Sequence, residues 1–333
     1  MSTDDSDRMN LENSVVAEAT GETRRPSGSF RPTAMERRSV LPKSDPPEMI
    51  QIPGYNVIEL LNNQSSRSAL YLAENEETGQ IVAIKQFFEE EEEIYEQEKV
   101  IQGILREKGD FKHILLADQF IDEQRTIITP YMRGGDVRQL QQEFNKEKIM
   151  LTPYQAEVIV AGACKALERL HACNIVYRDV KRTNMVLDII NPKVKKITVE
   201  NLKSVNVILK YIDYEIAWHE RFPHNNEPGV VAGTTRYLAP EMIKGGKPDP
   251  RSDIYALGVV LYQLFTNKFP FDSDHQIDLM KQHLEAPVPD MTQHNPSIGK
   301  DLQYIVEKML KKEPDDRYQT ATEVRKDYFM HLR

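Results

Sequence analysis

Residues 177–184 read Tyr177-Arg178-Asp179-Val180-Lys181-Arg182-Thr183-Asn184, and the reading of this stretch decides the fold. It follows a helical pattern over residues 154–172, where Ile159, Ala163, Ala166, Leu167 and Leu170 recur at helical spacing, and it precedes an apolar strand. A polar turn is the plain alternative for such residues, so the surroundings must decide. Upstream, residues 55–60, 68–74 and 80–88 read as strands, with further strands at 114–120 and 126–131. In the third strand Val82 and Ile84 share one face while Ala83 and Lys85 share the other. A lysine beside a small alanine leaves room for a flat ligand with a charged tail; a lysine snorkelling from a half-buried strand is the bland alternative. The acidic run Glu89 to Glu93 opens a helix to about Glu107, in keeping with the helix dipole. Glu98 falls within its apolar stripe of Ile94, Ile101 and Leu105, so it needs a cationic partner, for which Lys85 is the candidate. Downstream the chain is mostly helical: 253–265 is apolar nearly all round, the mark of a buried helix, and 302–310 and 322–332 follow. A sheet-rich first part, one crossing and a helix-rich second part predict an α+β chain of two lobes with a ligand cleft between them.

The bulk properties fit that outline. The 333 residues suffice for one large two-lobed domain. Hydrophobic residues make up 40% and charged residues 29%, as in a soluble globular protein. The net charge of -9 argues against a nucleic-acid partner, which calls for a basic excess. Residues 1–50 are polar and poor in large apolar side chains, so they are read as a disordered arm ahead of a folded domain at 51–333. Within the arm, Arg24-Arg25-Pro26-Ser27 and Arg37-Arg38-Ser39 are candidate phosphorylation sites, against the plainer reading of a solvated tail. Cys164 and Cys173 are read as reduced core thiols. No apolar run is long enough to span a bilayer and no signal-peptide core is present, so a cytosolic or nuclear location without membrane attachment is expected.

From about Tyr55 to Arg333 the chain resembles the eukaryotic-type protein kinases, with the motifs in family order. Val82-Ala83-Ile84-Lys85 resembles the strand of the phosphate-binding lysine. The resemblance implies that Lys85 holds ATP phosphates and pairs with Glu98, although their separation is shorter than usual and Glu96 and the earlier glutamates are rivals. It further implies that Asp179 accepts the substrate proton, that Lys181 neutralises the transferring phosphoryl group, and that Asn184 and Asp213 hold Mg2+. Lys181, two places after Asp179, is in the serine/threonine manner. Thr129-Pro130-Tyr131-Met132 resembles the hinge, with Thr129 as gatekeeper. Leu70, Ala83, Tyr131, Met132, Asp136 and Val186 complete the implied nucleotide-contacting set, Asp136 at the ribose. Gly233-Thr234-Thr235-Arg236-Tyr237-Leu238-Ala239-Pro240-Glu241 resembles the peptide-positioning segment. There Thr234 is expected to bond Asp179 and Lys181, Glu241 to pair with Arg317, and Asp253 to tie down the catalytic loop.

The chain also departs from the family pattern. Asp213-Tyr214-Glu215 stands where the family has Asp-Phe-Gly, and glutamate resists backbone angles that glycine permits. Residues 61–71, LNNQSSRSALY, put Asn63, Ser65 and Ser68 at the glycine positions of the phosphate loop, which implies weak nucleotide affinity. Gln102 stands where an apolar residue is expected, and residues 191–201 read as an inserted basic surface loop. No Ser or Thr lies between Asp213 and Gly233, so that loop is expected to need no phosphorylation, with Glu220 or Glu227 supplying charge to Arg178. Thr183 weighs against a preference for arginine before the target. Two readings follow: an ATP- and Mg2+-dependent serine/threonine kinase acting on a protein hydroxyl, and a pseudokinase serving as scaffold or allosteric regulator. A small-molecule kinase is a distant third.

Overall fold

The structure is a computed structural model that describes residues 50–62, 65–109, 112–198, 201–202, 206–221 and 234–331. The arm expected at 1–50 lies outside the described residues, save its last. Five antiparallel strands form the first lobe: β1 (Tyr55–Asn62), β2 (Ser68–Asn75), β3 (Ile81–Phe87), β4 (Gln119–Ile121) and β5 (Thr126–Pro130), in the order β1-β2-β3-β5-β4. The alternation in β3 is realised. Val82 and Ile84 are buried, whereas Ala83 and Lys85 lie on the half-buried face. The register sets Lys85 opposite Leu70 of β2 and Ile127 of β5, and Ala83 opposite Thr129. A short 3-10 turn at Glu89–Glu91 then leads into α1 (Glu92–Glu107), which buries Ile101 and Leu105 together with Glu98.

The strand expected at 114–120 is shorter than the sequence implies: only Gln119–Ile121 forms β4. Gln102 supplies the physical reason. Its Oε1 accepts from the backbone N–H of Ala117 at 2.7 Å, a group that a longer strand would have used for pairing, while its Nε2 donates to Glu98 Oε1 at 3.3 Å. Gln102 is 1% exposed, so both bonds are made away from water, where leaving them unmade is costly. The preceding backbone instead pairs with the second lobe, Leu115 N donating to Tyr211 O and Tyr211 N to His113 O.

The second lobe is helical, apart from a two-stranded sheet of β6 (Met185–Ile189) and β7 (Val207–Tyr211). α2 (Val137–Lys146) and α3 (Pro153–Ala172) both begin with capping boxes, Asp136 with Gln139 and Thr152 with Gln155, and proline opens α3. α5 (Pro250–Thr266) is buried along nearly its whole length, as its all-round apolar sequence requires. α4 (Pro240–Ile243), α6 (Gln276–Glu285), α7 (Lys300–Met309) and α8 (Ala321–His331) complete the lobe, with α8 lying on α3. Arg317 grips Glu241 with two bonds of 2.8 and 2.7 Å, and its side chain is fully buried. The insert between β6 and β7 is tied down more firmly than a surface loop. Ile197 and Leu202 are buried in the core, and Lys196 pairs with Glu143 of α2 at 3.0 Å. Cys164 and Cys173 are buried free thiols.

Two predictions follow from these buried polar groups. Gln102→Leu would restore apolar character at that site, yet it strands the Ala117 N–H. We expect a loss of about 1–3 kcal/mol in a denaturant melt; an unchanged or raised midpoint would show that the amide bonds carry no weight. His283 is wholly buried, its Nδ1 2.9 Å from the Tyr255 hydroxyl and its ring edge-on to Phe271. Burial, reinforced by nearby Lys312, pushes its pKa down to about 4. The unfolded chain therefore binds a proton that the folded chain refuses between roughly pH 6.5 and 4, and stability falls as pH drops through that window. The histidine accounts for about 3 kcal/mol of the acid loss; His283→Gln should flatten the stability-versus-pH curve there by that amount, and a curve parallel to wild type would refute the assignment.

Candidate active site

The buried polar cluster facing the cleft is built around one ammonium group. β3 presents Lys85, α1 presents Glu98, and the segment after β7 presents Asp213 and Glu215. Lys85 Nζ lies 2.8 Å from Glu98 Oε2, 2.9 Å from Asp213 Oδ1 and 2.8 Å from Glu215 Oε1. The pairing of Lys85 with Glu98 is thus made in spite of the short sequence separation, because the 3-10 turn at Glu89–Glu91 replaces a longer entry to α1. The rival Glu96 instead faces Lys99, at 3.5 Å. Burial works against the Lys85 charge, but Asp213, Glu215 and Glu98 outweigh it and hold the ammonium well above its ordinary pKa. For Asp213, burial is likewise overcome by Lys85, leaving the carboxyl below its usual range. Glu98 moves the other way: burial raises it against the pull of Lys85.

Amides lock α1 onto this cluster. Gln97 Nε2 donates to Glu215 O at 3.0 Å and to Ala217 O at 2.9 Å, and Gln102 holds the second oxygen of Glu98. The strain expected at Glu215 is not there. Its φ is not in the left-handed region; Asp213, at φ 66°, takes that conformation instead. Tyr214 is buried beneath, its hydroxyl donating to Tyr211 O and Leu115 O, with its ring edge-on to Tyr177 at 6.0 Å.

The second cluster forms on the catalytic stretch. Lys181 Nζ donates to Asp179 Oδ2 at 2.6 Å and Asn184 Nδ2 donates to the same oxygen at 2.7 Å. Asp179 Oδ1 carries no hydrogen bond among the described residues. Burial raises the Asp179 pKa, with Lys181 opposing. Asp253, at the start of α5, accepts from the backbone N–H groups of Tyr177 at 2.9 Å and Arg178 at 2.8 Å, fixing the loop from behind. Arg178 itself donates through Nε to Ile216 O at 2.6 Å. Glu227, one of its expected charge partners, lies outside the described residues. Thr234 does not make the bonds expected of it: its side chain is exposed and reaches neither Asp179 nor Lys181 among the described residues, and Lys181 spends its ammonium on Asp179 directly.

Around the hinge, Thr129 Oγ1 donates to Ala83 O at 3.4 Å and Tyr131 N to Ile81 O at 3.2 Å. Leu70, Ala83, Tyr131, Met132, Asp136 and Val186 are all partly accessible. Asp136 accepts from Gln139 N at 2.7 Å and bridges to Val186, so it serves first as the cap of α2. Gly134 is required close by, since a Cβ there would fall 2.3 Å from Leu187 O. For a magnesium nucleotide the donor set fits: Asp213 is a partly exposed carboxylate, and Asn184, whose NH2 is engaged, keeps its carbonyl oxygen free. Hard oxygen ligands of this kind suit Mg2+.

Sequence reasoning missed one residue. Arg67, the single charge in the loop between β1 and β2, reaches Glu215 with Nη1 at 3.5 Å. The signal was present, as a lone cation in an otherwise neutral loop, but nothing in the sequence showed that it points inward.

Comparison with known proteins bears on the family. A model of the protein kinase domain matches residues 64–330. Serine/threonine-protein kinase PknB of Mycobacterium tuberculosis is 36% identical over 180 residues, covering 53% of this chain and 26% of the relative. PknB of Mycobacterium leprae is 34% identical over 203 residues, 60% and 29% of the two chains. Serine/threonine-protein kinase PrkC of Bacillus subtilis is 30% identical over 206 residues, 62% and 29%. The chain thus spans under a third of the length of these relatives. With the motif order, the two lobes and the domain match in agreement, the chain belongs to the protein kinase domain family.

Proposed function

We propose that this chain is an ATP- and Mg2+-dependent serine/threonine protein kinase with an atypical nucleotide site. The observation that carries the proposal is the convergence of Lys85, Glu98 and Asp213 within 2.9 Å, from strand, helix and the segment after β7. Such a cross-lobe meeting of one cation with two carboxylates supports the reading of a site that handles a nucleotide's phosphates and its metal. A bound magnesium nucleotide supplies the transferable phosphoryl group and the charge neutralisation at its oxygens. The chain's own residues do the rest. Lys85 binds phosphate oxygens while Glu98 keeps its ammonium in place. Asp213 and Asn184 offer the oxygens that hold the metal. Asp179 orients the incoming serine or threonine hydroxyl and takes its proton at Oδ1, the oxygen not occupied by Lys181 and Asn184. Lys181 keeps Asp179 anionic by direct pairing until transfer, and it is within reach of developing negative charge. The match to the protein kinase domain and to serine/threonine-protein kinases supports a protein substrate over a small molecule.

One observation favours the second reading, a catalytically silent scaffold: Glu215 stands 2.8 Å from the lysine that phosphates would need. Against it, Lys85, Asp179, Lys181, Asn184 and Asp213 are all retained, and they lie in two paired clusters. Magnesium-dependent phosphate incorporation into a generic protein substrate decides between them. Wild type should incorporate phosphate, Asp179→Asn should lose activity by about 10²–10⁴-fold, and Lys85→Met should lose it by a comparable factor. Wild-type incorporation no higher than that of Asp179→Asn would establish the scaffold.

A further inference from the structure

The loop between β1 and β2 lacks glycine at the positions expected of a phosphate loop, and two backbone amides among its described residues are already engaged. Ser65 Oγ accepts from the backbone N–H of Arg67 at 3.2 Å and of Ser68 at 3.3 Å. These N–H groups are turned onto the loop's own hydroxyl instead of outward. Backbone amides are the usual anion-binding device of such a loop, and here two of them are engaged.

A side chain stands in the same place. Arg67 is fixed at its backbone, its carbonyl accepting from Phe88 N at 2.9 Å. Its guanidinium points towards the cleft, with Nη1 3.5 Å from Glu215 Oε2 and Nε 3.9 Å from Glu91 Oε2. The other oxygen of Glu215, Oε1, lies 2.8 Å from Lys85 Nζ. One carboxylate therefore spans two cations, one from the loop and one from β3. That is the geometry an oxyanion of a polyphosphate requires: two donors converging on neighbouring acceptor oxygens, one a planar guanidinium and one an ammonium.

We propose that Arg67 is a phosphate-binding residue of this site, its guanidinium taking over from the engaged amides of Arg67 and Ser68, and that Glu215 is the resting partner of Arg67 and Lys85, exchanged for the nucleotide's phosphates on binding. The inference rests on the reading of the cleft as a nucleotide site. It makes the two departures from the family pattern one device. Glu215 bridges the two cations when no phosphate is bound, and Arg67 adds a cation for the phosphates when one is. Glu215 then competes with ATP, while a ligand without phosphates feels neither residue.

Equilibrium binding of ATP with Mg2+, and separately of adenosine, to the whole chain tests this. Arg67→Gln should weaken ATP roughly tenfold, Arg67→Lys should recover part of the loss, and adenosine should bind all three alike. Glu215→Gln should tighten ATP severalfold. Ligand-free melting of each variant reports folding. The assignment is overturned if Arg67→Gln binds ATP as tightly as wild type. It is equally overturned if adenosine is lost in parallel, which marks a structural role, or if wild type binds adenosine no more weakly than ATP. A wild-type chain that binds neither ligand sinks the nucleotide-site reading itself.

Discussion

A single ammonium group, Lys85 Nζ, is shared by three carboxylates, and the cleft is organised around that imbalance of charge. Glu98 is 3% exposed, and an anion so deeply buried persists only beside a cation. Asp213 and Glu215 come from a different part of the chain, so satisfying Lys85 brings β3, α1 and the segment after β7 to one point. Removing the lysine would leave three negative charges facing one another, and their repulsion would push those elements apart. The cluster is thus as much a clamp between the elements as a ligand site.

The clamp is reinforced by neutral groups. Gln97 and Gln102 lie five residues apart on α1, on either side of Glu98 in sequence. The first binds carbonyls of Glu215 and Ala217; the second binds Glu98 and the Ala117 N–H. Helix α1 is thereby tied to the segment carrying Asp213 and to the chain leading into β4.

How much of this was legible beforehand follows the physics of each signal. Period-two alternation in β3 and the all-apolar α5 are dictated by burial, so the two lobes could be read directly. The catalytic stretch was legible because its residues act on one another at short range: Asp179, Lys181 and Asn184 are separated by two and three positions, and a local turn suffices to join them. The Lys85–Glu98 pair was legible because a buried carboxylate must find a cation. Thr234 was misread because its expected bonds depend on how a long connecting segment returns to the catalytic loop, which no local pattern specifies. Gln102 and Glu215 were visible only as departures. An amide at an apolar position can be either unpaired or doubly bonded, and only three-dimensional placement distinguishes the two. The insert was half legible: its lysines predicted exposure, but the burial of Ile197 and Leu202 required a groove that the sequence does not show.

Glu215 and Arg67 bear on whether a departure from a family pattern signals decay. A glutamate placed alone beside Asp213 would add repulsion to a site meant for phosphates, and a chain drifting away from nucleotide binding would have no reason to offset it. Here the offset exists, as a guanidinium from the opposite wall of the cleft that contacts the same carboxylate. The charges that differ from the family pattern cancel in pairs, so the net field at Lys85 is altered less than either difference alone implies. Independent losses would not be expected to compensate in both sign and position. Compensation of this kind is what the proposed anion site, with a side chain in place of engaged amides, requires.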